Sequence, residues 1–178
     1  MRNSLVFILI IFSSSLLAGP EIQHWQNSSG VSVYFDETHQ LPIVDIQLVF
    51  DAGSVRDPDD KKGLALMTNN ILSKGADGKL ADEISFEFER LGAIFRSSSA
   101  YDSASVSLRS LSDEKKLQQA LANLKQVISS PDFPTSAFER QRKRLLVGLQ
   151  RKKQSPGALA RDAFYEAVYK DHPYAFPN

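Results

Sequence analysis

The sequence predicts an α+β fold, an antiparallel-rich sheet with helices packed on one face. Three observations lead there. Short stretches of period-two alternation come in two pairs, Val31–Phe35 with Val44–Phe50 and Ala93–Ser99 with Ser103–Ser110. Between and after these pairs run segments whose apolar residues recur at helical spacing. The chain has 178 residues, 42% hydrophobic and 24% charged, ordinary values for a soluble globular protein with one core.

Each element has its own signal. In the first strand Val31, Val33 and Phe35 alternate with Ser32 and Tyr34; Gln40-Leu41-Pro42 breaks the pattern. In the second, Val44, Ile46, Leu48 and Phe50 alternate with Asp45, Gln47 and Val49. Ala52-Gly53-Ser54 and Asp57-Pro58-Asp59-Asp60 form a polar turn region. Leu64–Lys74 suits a helix, with Gly75 as its left-handed stop. Asn69 and Asn70 inside it are poor helix formers, each costing about 0.5–0.7 kcal/mol against Ala.

After the Asp77-Gly78 turn, Leu80, Ile84, Phe88 and Leu91 mark a second helix that stops at Gly92. Ser112 is the expected N-cap of the next, with Asp113 and Glu114 in its first turn and a stripe from Leu117 to Ile128. Pro131 and Pro134 bound a loop. A long helix is expected from Ser136 to about Lys153, burying Phe138, Leu145, Leu146 and Leu149, and a last one from Ala158 to about Tyr169. His172-Pro173-Tyr174 is a turn.

The first 18 residues read as a signal peptide: a basic start at Arg2, an apolar run from Leu5 to Phe12 and a small-residue site ending at Ala18. That run is short for a membrane-spanning helix, so no stable anchor is expected after cleavage. The protein is expected to be exported, and periplasmic in a Gram-negative cell. With no Cys, neither a lipid anchor on Cys nor a disulfide can form. The 21 basic and 21 acidic side chains cancel, so no global field draws in nucleic acid or an anionic membrane. The basic run from Arg140 to Lys153 has no interleaved aromatics and reads as a solvated helix face.

The helix at Gly63–Gly75 carries the most specific signal. Gly63-Leu64-Ala65-Leu66-Met67-Thr68-Asn69-Asn70 is followed by Ser73-Lys74-Gly75, with Ala52-Gly53-Ser54 before and Leu91-Gly92-Ala93 after. Further anchors follow in order: Pro131-Asp132-Phe133-Pro134, Phe138-Glu139-Arg140, Ser155-Pro156-Gly157-Ala158 and His172-Pro173-Tyr174. Together they resemble the insulinase/pitrilysin family of zinc peptidases, whose signature is H-x-x-E-H on a helix. Leu66 stands at the first His, Asn69 at the Glu and Asn70 at the second His, while Val147 and Gly148 replace the Glu pair that holds the third ligand.

That substitution removes the chemistry. Two imidazoles at i and i+4 share a helix face and can share a zinc ion, and the intervening Glu takes a proton from the metal-bound water. Leu66 and Val147 have no lone pair to give, Asn70 offers a neutral amide oxygen, and Asn69 cannot accept a proton at neutral pH. The resemblance therefore implies a non-catalytic, peptide-handling subunit of an exported heterodimeric metallopeptidase. No cofactor is expected in this chain, and zinc only in a catalytic partner of the same family. The expected ligand is unfolded peptide, added as a strand at the sheet edge, with Phe95, Arg96, Ser97 and Ser98 as contacts. The resemblance also implies an N-terminal domain, residues 19–178, truncated at its C-terminal end.

Two other readings compete. An active zinc metalloendopeptidase with a non-standard metal site would need other ligands, but His24, His39 and His172 are nowhere paired at helical spacing. A phosphate loop at Lys74–Lys79 fails because Leu80 stands where Ser or Thr would bind magnesium.

Overall fold

The computed structural model describes residues 21–175, so the expected signal peptide lies outside the described residues. The chain divides into two compact units, one ending at Leu41 and the other beginning at Pro42.

The first unit is a hairpin. Strand β1 (Gln23–Gln26) pairs antiparallel with β2 (Ser32–Phe35), with Trp25 opposite Val33. Its turn is an Asx turn: the Asn27 side-chain oxygen accepts from the Ser29 and Val31 amides, both at 2.9 Å. The alternation at 31–35 predicts β2, but its hairpin partner is β1 rather than the strand at 44–50.

The second unit is built on a three-stranded antiparallel sheet in the order β3 (Ile43–Phe50), β7 (Ala104–Leu111), β6 (Ile94–Ser99). Register places Ile46 and Phe95 on either side of Leu108, and Leu48 and Ser97 on either side of Val106. One face is therefore apolar along β7, where Ala104, Val106 and Leu108 are buried. Helices α2 (Ala81–Glu89) and α3 (Glu114–Ser129) supply the rest of the core. Ile84, Phe88, Ala120, Leu124 and Val127 pack with Val106 and Leu108. The other face is polar, with Asp45 and Arg109 directly opposed. The expected architecture of helices on one sheet face is what forms.

The remaining elements are α1 (Leu64–Ile71), the two-residue strands β4 (Gly75–Ala76) and β5 (Lys79–Leu80), α4 (Thr135–Lys153) and α5 (Pro156–Tyr169). Among the described residues no helix is long and apolar enough to cross a membrane.

Three expectations need correction. The helix cap is Asp113, whose carboxylate accepts from the Lys116 amide at 3.0 Å; Ser112 instead donates its amide to the Pro42 carbonyl and closes the end of the sheet. The first helix ends at Ile71 and tightens into a 3-10 turn over Leu72–Lys74. Gly75 is not a left-handed stop: its φ is −178°, in an extended strand. Glycine is required there by space. A Cβ on Gly75 would sit 2.6 Å from the Pro134 ring. Finally, α4 does not bury Phe138, Leu146 or Leu149. They are 37%, 47% and 53% exposed, Leu145 is half-buried, and Ala137 is the helix's buried residue. Apolar spacing says which residues share a helix stripe, and not whether anything covers it.

Candidate functional site

Helix α1 is held at both ends. Its N-cap residue, Gly63, has no side chain to satisfy the first amides, so Asp57 does this from six residues upstream. One carboxylate oxygen accepts from the Gly63 amide at 2.8 Å and the other from the Ala65 amide at 2.9 Å. Asp57 is 7% exposed, and its charge sits where the helix dipole favours an anion. The loop before it is seated against the β6–β7 turn. The Ser54 and Val55 amides donate to the Ala100 and Tyr101 carbonyls, both at 3.0 Å. A Cβ on Gly53 would lie 2.2 Å from the Tyr101 oxygen, so only glycine fits that approach. At the far end Asp132 accepts from the Gly78 amide at 2.8 Å and donates its own amide to the Gly75 carbonyl at 2.9 Å. The short sequence anchors at 52–54, 73–75 and 131–134 are thus the seats that fix α1 in place.

The residues at the positions of the lost motif are arranged as follows. Leu66 and Asn70, one turn apart on α1, are half-buried. Asn69 is buried, not a solvent-facing residue. Its side-chain amide donates to the Ala65 carbonyl at 3.0 Å, and its own carbonyl accepts from the Ser97 hydroxyl at 2.9 Å. The position that would carry a general base is therefore spent on the helix backbone and on tying α1 to β6. Val147 is on α4, the helix beside α1, and is 39% exposed. A hydrocarbon pair, a neutral amide and an amide already bonded to backbone do not make a zinc donor set. The three histidines have separate local contacts: His24 stacks on Tyr34, His39 pairs with Glu37 at 3.0 Å, and the His172 Nδ1 accepts from the Tyr174 amide at 3.2 Å. Among the described residues no three His, Cys, Asp or Glu side chains come together as a metal site.

Strand β6 is an edge strand within this sheet, next to α1. Phe95 turns inward and stacks on Phe88 with ring centroids 5.4 Å apart, and Ser97 turns inward to Asn69. Arg96 and Ser98 are exposed on the other face, where the Ser98 and Ser105 hydroxyls meet at 2.8 Å. Of the four expected contact residues, two side chains are thus committed to the interior, and two are open together with the main-chain edge.

Elsewhere the charged groups form surface pairs. Arg109 grips both oxygens of Asp45 at 2.7 Å and holds that carboxyl below its ordinary range. Tyr174 donates to Asp102, which raises its pKa, and burial raises that of Tyr101 beside it. Those two rings, 5.2 Å apart, fasten the C-terminal turn to the β6–β7 turn. The sequence reading did not single out Asp57. Its signal was an acidic residue shortly before a helix whose own N-cap is glycine.

Residues 32–177 match the model of the insulinase family, peptidase family M16. The chain belongs to that family. Among M16 proteins it is 39% identical to a peptidase M16 inactive domain from Pseudomonas fluorescens, with a TM-score of 0.84 over 87% of this chain and 37% of that one. It is 23% identical to a non-peptidase homolog, YmxG, of Helicobacter pylori over 98% of its length and 40% of the relative's. It is 25% identical to an uncharacterized zinc protease of Rickettsia felis, over 79% of this chain and 34% of that protein. Pitrilysin shares the fold, with a TM-score of 0.69 at 21% identity. The chain spans well under half the length of each of these relatives.

Proposed function

We propose that this M16 chain is part of a catalytically inactive homologue acting as the non-catalytic, peptide-handling subunit of an exported heterodimeric metallopeptidase. In this reading it carries no cofactor of its own, and zinc resides in a catalytic M16 partner. The observation that carries the reading is the contrast at α1: the helix is clamped by Asp57 and seated by Gly53 and Gly75, yet Leu66, Asn69, Asn70 and Val147 supply no metal ligand or base. Likeness to an inactive M16 domain and to a non-peptidase homolog supports it. The open edge of β6, beside α1, gives an unfolded peptide a place to add as a strand, with Arg96 and Ser98 beside it.

The test is reconstitution with an M16 protein of the same cell that carries an intact H-x-x-E-H. The two are expected to co-purify, and hydrolysis of an unfolded peptide should rise by at least about tenfold when this chain is added, a gain of about 1.4 kcal/mol in transition-state stabilisation. Full activity of the catalytic protein alone, with no association, contradicts the subunit role.

A further inference from the structure

The open edge of β6 offers its main chain in one fixed register. The Ala100 amide donates to the Ser103 carbonyl at 2.8 Å, which closes the β6–β7 hairpin with a hydrogen-bonded pair. In an antiparallel ladder such pairs alternate with non-hydrogen-bonded ones. Counted back along the register, Ser98, Arg96 and Ile94 therefore turn their amides and carbonyls toward Ser105, Ser107 and Arg109 on β7. The amides and carbonyls of Phe95, Ser97 and Ser99 point away from the sheet, and among the described residues none of them has a main-chain partner. A row of this kind is a template for another extended strand.

A strand added there meets Arg96 in a defined way. Running antiparallel, as both neighbours in this sheet do, it bonds to Phe95, Ser97 and Ser99. The residue opposite Arg96 then falls in a non-hydrogen-bonded pair, the kind that brings side chains closest. The same sheet face already holds one such pair. The Ser112 amide bonds to the Pro42 carbonyl, which makes Asp45 and Arg109 a non-hydrogen-bonded pair of β3 and β7, and there each carboxylate oxygen accepts from the guanidinium at 2.7 Å. Arg96 is exposed on that face between Ile94 and Ser98, and its partner across the ladder is the uncharged Ser107. Its place, and not its charge alone, sets it apart: it stands between the outward main-chain groups of Phe95 and Ser97. We propose that Arg96 is a specificity-determining residue of this edge, selecting extended peptides that carry Asp or Glu directly opposite it. This rests on the reading of β6 as the edge at which peptide adds. In the antiparallel sense, the peptide residue two before the acid faces Ser98 and the one two after it faces Ile94, which suits a hydroxyl and an apolar side chain respectively. An arginine on an edge can also serve to repel strands. The two roles differ in sign: removing a repellent strengthens binding of every peptide, whereas removing a selector erases the preference for acid.

Fluorescence anisotropy of the full chain tests it. The probes are labelled, unstructured peptides of about nine residues with Glu at the centre, Thr two residues before it and Val two residues after it. Versions with Gln or Lys in place of Glu are the comparison. At low salt the Glu peptide should bind about threefold more tightly than the Gln peptide, and the Lys peptide most weakly. Arg96→Gln should erase the difference between Glu and Gln, and Arg96→Glu should make the Lys peptide the tightest, with circular dichroism unchanged because the side chain is exposed. N-methylation of the two residues flanking the Glu removes the amides that face β6 and should abolish binding to every form of the protein. N-methylation of the Glu itself, whose amide faces away, should leave it intact. Equal affinity for the Glu and Gln peptides, with binding still lost on flanking N-methylation, overturns the assignment of Arg96 and leaves the edge reading standing. Binding that survives flanking N-methylation, or no binding of any peptide, overturns both. Tighter binding of every peptide to Arg96→Gln would mark Arg96 as a guard against strand addition and overturn the proposal.

Discussion

The loops around α1 and the exposed length of α4 are built in opposite ways. Asp57, Gly53, Gly75 and Asp132 leave α1 no freedom: a buried carboxylate caps it, and two glycines admit the backbone and a proline ring closer than any side chain allows. Helix α4 buries little and presents cations and aliphatic groups to solvent. The first pattern fixes a helix in place, and the second leaves one largely solvated. The side chains at 66, 69, 70 and 147 lie on these two helices and offer two hydrocarbons and two amides.

The contrast can be broken by mutation. Gly53→Val should have the largest effect, about 3 kcal/mol or more of lost stability in urea unfolding, because its Cβ would enter the Tyr101 carbonyl. A stable Gly53→Val protein would show that the seat is loose. Asp57→Ala comes next. It strips two hydrogen bonds, from the half-buried Gly63 amide and the buried Ala65 amide, and should cost about 2 kcal/mol, with faster hydrogen exchange confined to the first turn of α1. Reversing Arg140, Lys143 and Arg144 to Glu should change stability by less than about 0.5 kcal/mol, since those side chains touch nothing that folds the unit. A larger loss would make α4 part of the frame after all.

The smallest effect is electrostatic. The Asp45 carboxyl, bonded to Arg109, should titrate below its ordinary 3.8, and Arg109→Gln should return it there in a carboxyl-detected NMR titration. Because the folded value is the depressed one, the pair's contribution is present above the unfolded pKa and fades as pH falls through the folded one. Both groups face solvent, so the change in stability is slight.

Much of this was legible in the sequence. Alternation located β2, β3, β6 and β7, and helical spacing located the helices, because each signal reports which residues share a face. Pairing was not legible. That β3 lies against β7, some sixty residues on, follows from burying Ile46 with Leu108, which no local pattern encodes. Strand β1 was missed because Gln23-His24-Trp25-Gln26 is exposed throughout and has no alternation to read. Gly75 was misread because a glycine after a helix looks the same whether its φ or its lack of a Cβ is needed. At the site, the residue types at 66, 69, 70 and 147 are plain in the sequence. The bonds that Asn69 makes in place of chemistry are not, since they depend on Ala65 and Ser97 reaching it in the fold.

The most direct test of the retired site is zinc stoichiometry of the purified chain after incubation with excess zinc and gel filtration, measured by mass spectrometry alongside hydrolysis of an unfolded peptide. The account expects well under one zinc per chain and no chelator-sensitive hydrolysis. One tightly held zinc per chain, with hydrolysis that a chelator abolishes, would contradict it.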